Sequence, residues 1–187
     1  MLYSKPVQML VDEHEVILSV LDAVETVAQR TGAGGSVAQP FYEKAVDFFA
    51  TFADQCHHAK EEQHLFPLLA ARGIPQQGGP IGCMLSEHEL GRQHVAAVRA
   101  GLPRAGAGDN AARQTVRQEI LAYAELLRQH IMKENEILFV LGDQRMSAQD
   151  KNDLWQKFQC AEHSALPPGS HEKYVALAKE LRAMAGL

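Results

Sequence analysis

One stretch of this chain is repeated 73 residues further on, and the repeat carries the residues most able to do chemistry. His57-His58-Ala59-Lys60-Glu61-Glu62-Gln63-His64-Leu65-Phe66 is answered by His130-Ile131-Met132-Lys133-Glu134-Asn135-Glu136-Ile137-Leu138-Phe139, with His, Lys, Glu, Leu and Phe in register. Glu13-His14-Glu15 returns as Glu87-His88-Glu89, 74 residues on. In a helix, His and Glu four residues apart sit one above the other on one face. The pairs His57/Glu61 and His130/Glu134 can therefore each reach inward to one point. With the single histidines His14 and His88 they offer four imidazoles and two carboxylates, a donor set for a dinuclear metal site inside a helical bundle.

The hydrophobic pattern supplies the helices. Val7, Leu10, Val11, His14, Ile17, Leu18, Leu21 and Val24 recur at helical spacing and predict a first helix over about 6–30, stopped by Thr31-Gly32-Ala33-Gly34-Gly35-Ser36. A second runs from Pro40 to about Arg72, with Pro67 expected to kink or end it near Phe66. A third covers about 80–100 and is followed by a glycine-rich loop over 101–110. Asp109 is an N-cap for a fourth, which ends near Leu141-Gly142. The expected fold is all-α: an antiparallel up-down four-helix bundle built from a duplicated two-helix hairpin, spanning residues 1–145. Residues 146–187 read as a helical appendage of the same domain, with helices over 147–162 and 170–185 separated by Leu166-Pro167-Pro168-Gly169. So short a segment forms too small a core to stand alone.

Composition narrows the partners. A chain of 187 residues suits one domain, and a net charge of −5 gives no basic footprint for nucleic acid or anionic lipid. Three widely spaced cysteines, Cys56, Cys83 and Cys160, form neither a disulfide framework nor a thiolate metal site. No apolar run approaches the roughly 20 residues needed to span a bilayer, and Asp12, Glu13 and His14 interrupt any secretory h-region. The expected location is cytoplasmic.

A buried histidine or glutamate is costly unless paired or ligated, and here that choice recurs on four successive helices. The competing reading, a His–Glu hydrogen-bond network, would titrate near neutral pH. Imidazole and carboxylate without thiolate suit iron or manganese, and zinc less well. Two octahedral ions offer roughly 12 positions. Bridging by Glu61 and Glu134 fills four, four histidines fill four more and an oxo or hydroxo bridge fills two, so two stay open for a small exogenous ligand.

These motifs in this order resemble the hemerythrin-like (HHE) domain: His on helix 1, HxxxE with LFP on helix 2, EHE on helix 3, HxxxEN with LF on helix 4. The likeness covers about residues 5–142. It implies His14, His57, Glu61, His88, His130 and Glu134 as ligands of two oxo- or hydroxo-bridged irons. Oxygen-carrying members have a second histidine on helix 3, one turn after the first. Arg92 stands there in this chain, and helix 4 has HxxxE where they have HxxxxD. Those departures shift the expectation from reversible dioxygen carriage toward the relatives associated with nitric oxide stress and repair of iron centres. Those relatives usually carry a cysteine-bearing N-terminal domain that this sequence lacks.

The functional expectation is therefore a non-haem di-iron protein that binds dioxygen, nitric oxide or peroxide for sensing, stress protection or iron handling. A peroxidase, ferroxidase or iron-centre repair protein is the alternative, and a homodimer and a redox partner are left open. His58 and Glu62 form a second i,i+4 pair, turned about 100° from the first. Register with helix 4 favours His57 and Glu61 over it, because Ile131 and Asn135 occupy the equivalent places. His64 and His94 are expected near the surface or behind the ligands, and Tyr123 as a core aromatic. Glu13, Glu15, Glu87 and Glu89 are expected to be solvated or to orient the imidazoles.

Overall fold

The structure is a computed structural model that describes residues 3–31, 38–164 and 169–187. The expected breaks at 32–36 and 166–168 lie outside the described residues. Six helices appear among the described residues, with no strand. They are α1 (Lys5–Thr31), α2 (39–71), α3 (Pro80–Gly106), α4 (110–145), α5 (Ala148–Ser164) and α6 (Ser170–Ala185). The arrangement is compatible with the expected four-helix bundle: α3 packs along α4, α1 along α4, and α2 along α3.

Several boundaries follow from local chemistry. The Asp109 side chain accepts from the Ala112 N–H at 3.1 Å, capping α4 as expected. Ser147 and Asp150 cap α5 reciprocally, with Ser147 N–H donating to Asp150 at 2.8 Å and Asp150 N–H to the Ser147 hydroxyl at 3.1 Å. Gly73, at φ 83°, closes α2 by letting the Ile74 N–H reach the Leu69 carbonyl at 3.1 Å.

Two boundaries differ from the sequence expectation. α3 runs on through Gly101 to Gly106, and no loop begins at 101. Gly101 holds the close approach of α3 to α4, since a Cβ there would lie 2.7 Å from Val116 Cγ2. Tertiary packing thus outweighs the weak helix propensity of glycine. In α2, the helix does not end at Pro67 but continues to Ala71. The turn before it, Glu61–Leu65, is π-helical, with i→i+5 bonding. That wider turn removes the carbonyl a proline ring would strike in an α-helix.

The apolar residues fall into two clusters. One gathers Ile17, Leu21, Phe48, Phe52, Val98, Ile120 and Leu127. The other gathers Val7, Leu10, Leu65, Leu69, Met84 and Phe139. Along each of α1 to α4 the repeated His and Glu residues fall between the two sets. α5 adds Leu154 and Phe158 to the second cluster, and α6 adds Tyr174, Ala178 and Leu181 to the first. Both C-terminal helices thus extend the cores of the other four.

Candidate metal centre

All six residues expected from the sequence are buried where the two apolar clusters meet. Their atoms form two overlapping groups, His14/His57/Glu61/Glu134 and His58/Glu61/His88/His130, each with donor atoms within 4.8 Å of one another. Glu61 belongs to both. Its two oxygens lie 3.6 Å from His57 Nε2 and 3.5 Å from His88 Nε2. Glu134 Oε2 lies 3.3 Å from His14 Nε2 and 3.2 Å from His130 Nε2. Each carboxylate therefore spans histidines of both groups.

The outward nitrogens are all engaged. His57 Nδ1 donates to Glu13 at 2.8 Å and His130 Nδ1 to Glu87 at 3.0 Å. His88 Nδ1 donates to Glu62 at 2.7 Å, and His14 Nδ1 faces the Asn135 amide oxygen at 2.8 Å. An ionised carboxylate only accepts, so these imidazoles carry their proton on Nδ1 when neutral and turn a bare Nε2 inward. Lys60 pairs with Glu13, and Lys133 with Glu87. The lysines of the repeat thus anchor the carboxylates behind two of its histidines.

The inward atoms lack partners. His14 Nε2, His57 Nε2 and both oxygens of Glu61 and of Glu134 are buried without a hydrogen bond among the described residues. His88 Nε2 and His130 Nε2 stand 3.1 Å apart, where the second proton of a cationic His130 can be shared between them. Such a set of buried acceptors is costly on its own, and a shared cation removes the cost. The residues fit a dinuclear metal.

Protonation follows the same logic. Burial and the neighbouring Glu134 carboxylate push Glu61 well above the carboxylate range. Burial would raise Glu134 too, but His130 and His14 hold it well below. Burial pulls His130 down, yet Glu134 and Glu87 overcome it and hold it at about 9. Burial and the adjacent His14 lower His57 to about 4.

His58 is the residue the sequence reading left outside the set. A straight α-helix would turn it about 100° from His57. Phe49–His58 is instead π-helical, which takes more residues per turn and brings neighbours closer in angle. His57 and His58 are both buried as a result. The His58 ring lies 3.8 Å from that of His88, and Nδ1 is 3.5 Å from Asp54. The adjacent histidines were a visible signal, but the widened turn that aims both inward was not. Glu62, the other half of that pair, holds His88 from outside. His64 is half-buried, and His94 bonds Glu119 at 2.7 Å away from the centre. Glu15 and Glu89 are exposed.

The chain matches the family described as the Hemerythrin HHE cation binding domain over residues 5–141. It belongs to that family. Uncharacterized proteins of Mycobacterium bovis and of two Mycobacterium tuberculosis strains are 27% identical to it over 158 residues, 82% of this chain and 60% of theirs. The chain thus spans about 60% of the length of these relatives. No solved structure matches it.

Against the hemerythrin-like pattern, Arg92 takes the place of a second α3 histidine and supports the others. Its guanidinium donates to Asp54 at 2.8 Å and to Glu62 at 2.6 Å. It thereby ties down the carboxylates facing His58 and His88. The LF element also gains a reason. Phe139 stacks on His14, centroids 5.5 Å apart at 3°, and Phe66 on His88 at 5.8 Å and 22°. Each repeat's phenylalanine covers the lone histidine of the other half.

Proposed function

We propose that this hemerythrin-family chain is a non-haem di-iron protein that takes a small ligand (dioxygen, nitric oxide or peroxide) at its metal pair, for sensing, stress protection or iron handling. The observation that carries it is the shared position of Glu61, both oxygens unpartnered, between two buried groups of metal-ligating side chains. His14, His57, Glu61 and Glu134 would hold one ion, and His58, His88 and His130 the other, with Glu61 and Glu134 bridging. The fold would be the antiparallel four-helix bundle of 1–145, with α5 and α6 as its appendage. The setting would be cytoplasmic.

With His58 counted, five imidazoles would replace the four expected from the sequence, and the group around His14 and His57 would hold one histidine fewer than the group around His58, His88 and His130. When bound, an iron pair would supply a place for a small oxygen or nitrogen ligand. The protein's own part is orientation and exclusion of water. Glu13, Glu62, Glu87 and Asn135 fix the imidazole tautomers, Lys60, Lys133 and Arg92 fix the acids, and Phe66 and Phe139 shield the rings.

The test is metal analysis of protein expressed in iron-rich medium, with a near-ultraviolet and visible spectrum before and after nitric oxide. About two irons per chain and a spectrum that changes with nitric oxide support the proposal. Folded protein holding less than one iron per chain would overturn it.

A further inference from the structure

The two halves of the repeat are nearly symmetric around the metal donors, and their differences gather on one side. Asp54, Gln55, His58 and Arg92 have as counterparts Leu127, Arg128, Ile131 and Leu18, at the offsets of 73 and 74 residues. Asp54, Gln55, His58 and Arg92 all line a single cavity of about 300 Å³. Its floor is buried (Phe49, His58, His88, Gly91, Tyr123, His130), and Gln55, Ala96 and Arg99 at its mouth are exposed. That is the space of about ten water molecules, far more than a diatomic needs and at the lower end for organic-ligand pockets.

Three features say what fits. Tyr123 is 3% exposed and lines the cavity, yet its hydroxyl has no hydrogen-bond partner among the described residues. A phenol hydroxyl with no protein partner, on a residue that lines the cavity, can donate to an acceptor there. Gly91 keeps the room beside it, for a Cβ there would come within 3.3 Å of the Tyr123 ring. At the mouth Asp54 and Glu62 share Arg92, and Glu87 pairs with Lys133, while Arg99 makes no ion pair or hydrogen bond among the described residues. Arg99 lies eight residues beyond Gly91 on α3, about 12 Å along the helix, a gap its long side chain can shorten.

We propose that this cavity binds a small organic acid: its apolar body between Phe49, Val95 and Leu127, its anionic group at Arg99, and an oxygen at its far end accepting from Tyr123. This goes beyond the di-iron reading and does not require it, since none of these contacts uses the metal.

The test is calorimetric titration of the purified protein, its metal content measured separately, with 4-hydroxybenzoate, benzoate and phenol as probes. Saturable one-to-one binding of 4-hydroxybenzoate is expected. Arg99→Ala should weaken both acids about tenfold and leave phenol unchanged, as loss of a charge-assisted bond does. Tyr123→Phe should weaken 4-hydroxybenzoate about fivefold and leave benzoate unchanged. Ala96→Trp, at an exposed position, should block all three probes with melting temperature and metal content intact. Absent or non-saturable binding by the wild type, or unaltered binding by Ala96→Trp, overturns the proposal. Binding by protein that takes up no iron would uphold the cavity and defeat the di-iron reading instead.

Discussion

The imidazole of His58 lies flat against that of His88, centroids 3.8 Å apart and planes 15° from parallel. The two come from different helices and different halves of the repeat. In the proposed metal pair His58 would therefore supply, from α2, the imidazole that Arg92 does not supply from α3.

Replacing His58 with the residue its own repeat uses tests this directly. His58→Ile should fold, because isoleucine fills the equivalent place at 131. Iron content should fall from about two toward one per chain. Retention of two irons with an unchanged spectrum would remove His58 from the ligand set. Arg92→His should not restore a ligand, because the space beside His88 is taken. It should weaken metal binding about 10–100-fold by freeing Glu62 and Asp54, as read by competition with a chelator.

The two lysines of the repeat differ in burial, and their replacements should differ accordingly. Lys60 and Glu13 are both 2% exposed in their side chains, whereas Lys133 is 31% exposed. Lys60→Met leaves a buried carboxylate uncompensated and should cost about 3–5 kcal/mol. Lys133→Met should cost about 1 kcal/mol or less. Denaturant unfolding of the two variants gives the comparison. Equal losses would mean that Lys60 is not the buried counter-charge described here.

How much of this the sequence carried is clear from particular residues. The i,i+4 pairs, the single histidines and the caps at Asp109 and Ser147 follow from spacing and side-chain chemistry, and the structure brings all of them where that chemistry needs them. What spacing could not carry was departure from the 3.6-residue turn. The π-helical stretch before His58 and the π turn ahead of Pro67 depend on i→i+5 bonding that no residue type announces. The extension of α3 past Gly101 likewise depends on Val116, a contact made across helices.

Proton linkage sets how the metal-free protein responds to pH. In the metal-free protein His130 sits at about 9 against its ordinary 6.5, and Glu61 is raised well above 4.5. Both bind protons more tightly folded than unfolded. Their contribution is whole at low pH and is lost as pH rises, for His130 between about 6.5 and about 9. Glu13, Glu87 and Glu134 are shifted down, so their contribution is already complete above the carboxylate range and stays flat in that window. His57, His58 and His88 are shifted down, so their opposing contribution is complete once pH is well above 6.5, and metal-free melting temperature should fall between about pH 7.5 and about 9.

Metal loading must expel the same protons, because a ligating His or Glu is deprotonated. Loading at neutral pH should release at least the proton held by His130, and apparent affinity should rise with pH. Titrations in buffers of different ionisation enthalpy measure the release. Proton uptake on loading would contradict the assignment of His130 and Glu61.

Neither hairpin of the repeat owns a complete nest for an ion: the first lends Glu61 to histidines of the second, and the second lends Glu134 back. A single hairpin could enclose metal only by docking with a second copy of itself, each side then obliged to be identical to its twofold mate. Two hairpins joined in one chain carry no such obligation. The adjacent histidines on one side, and the chamber beside them, are features that a symmetric pair would have to carry twice.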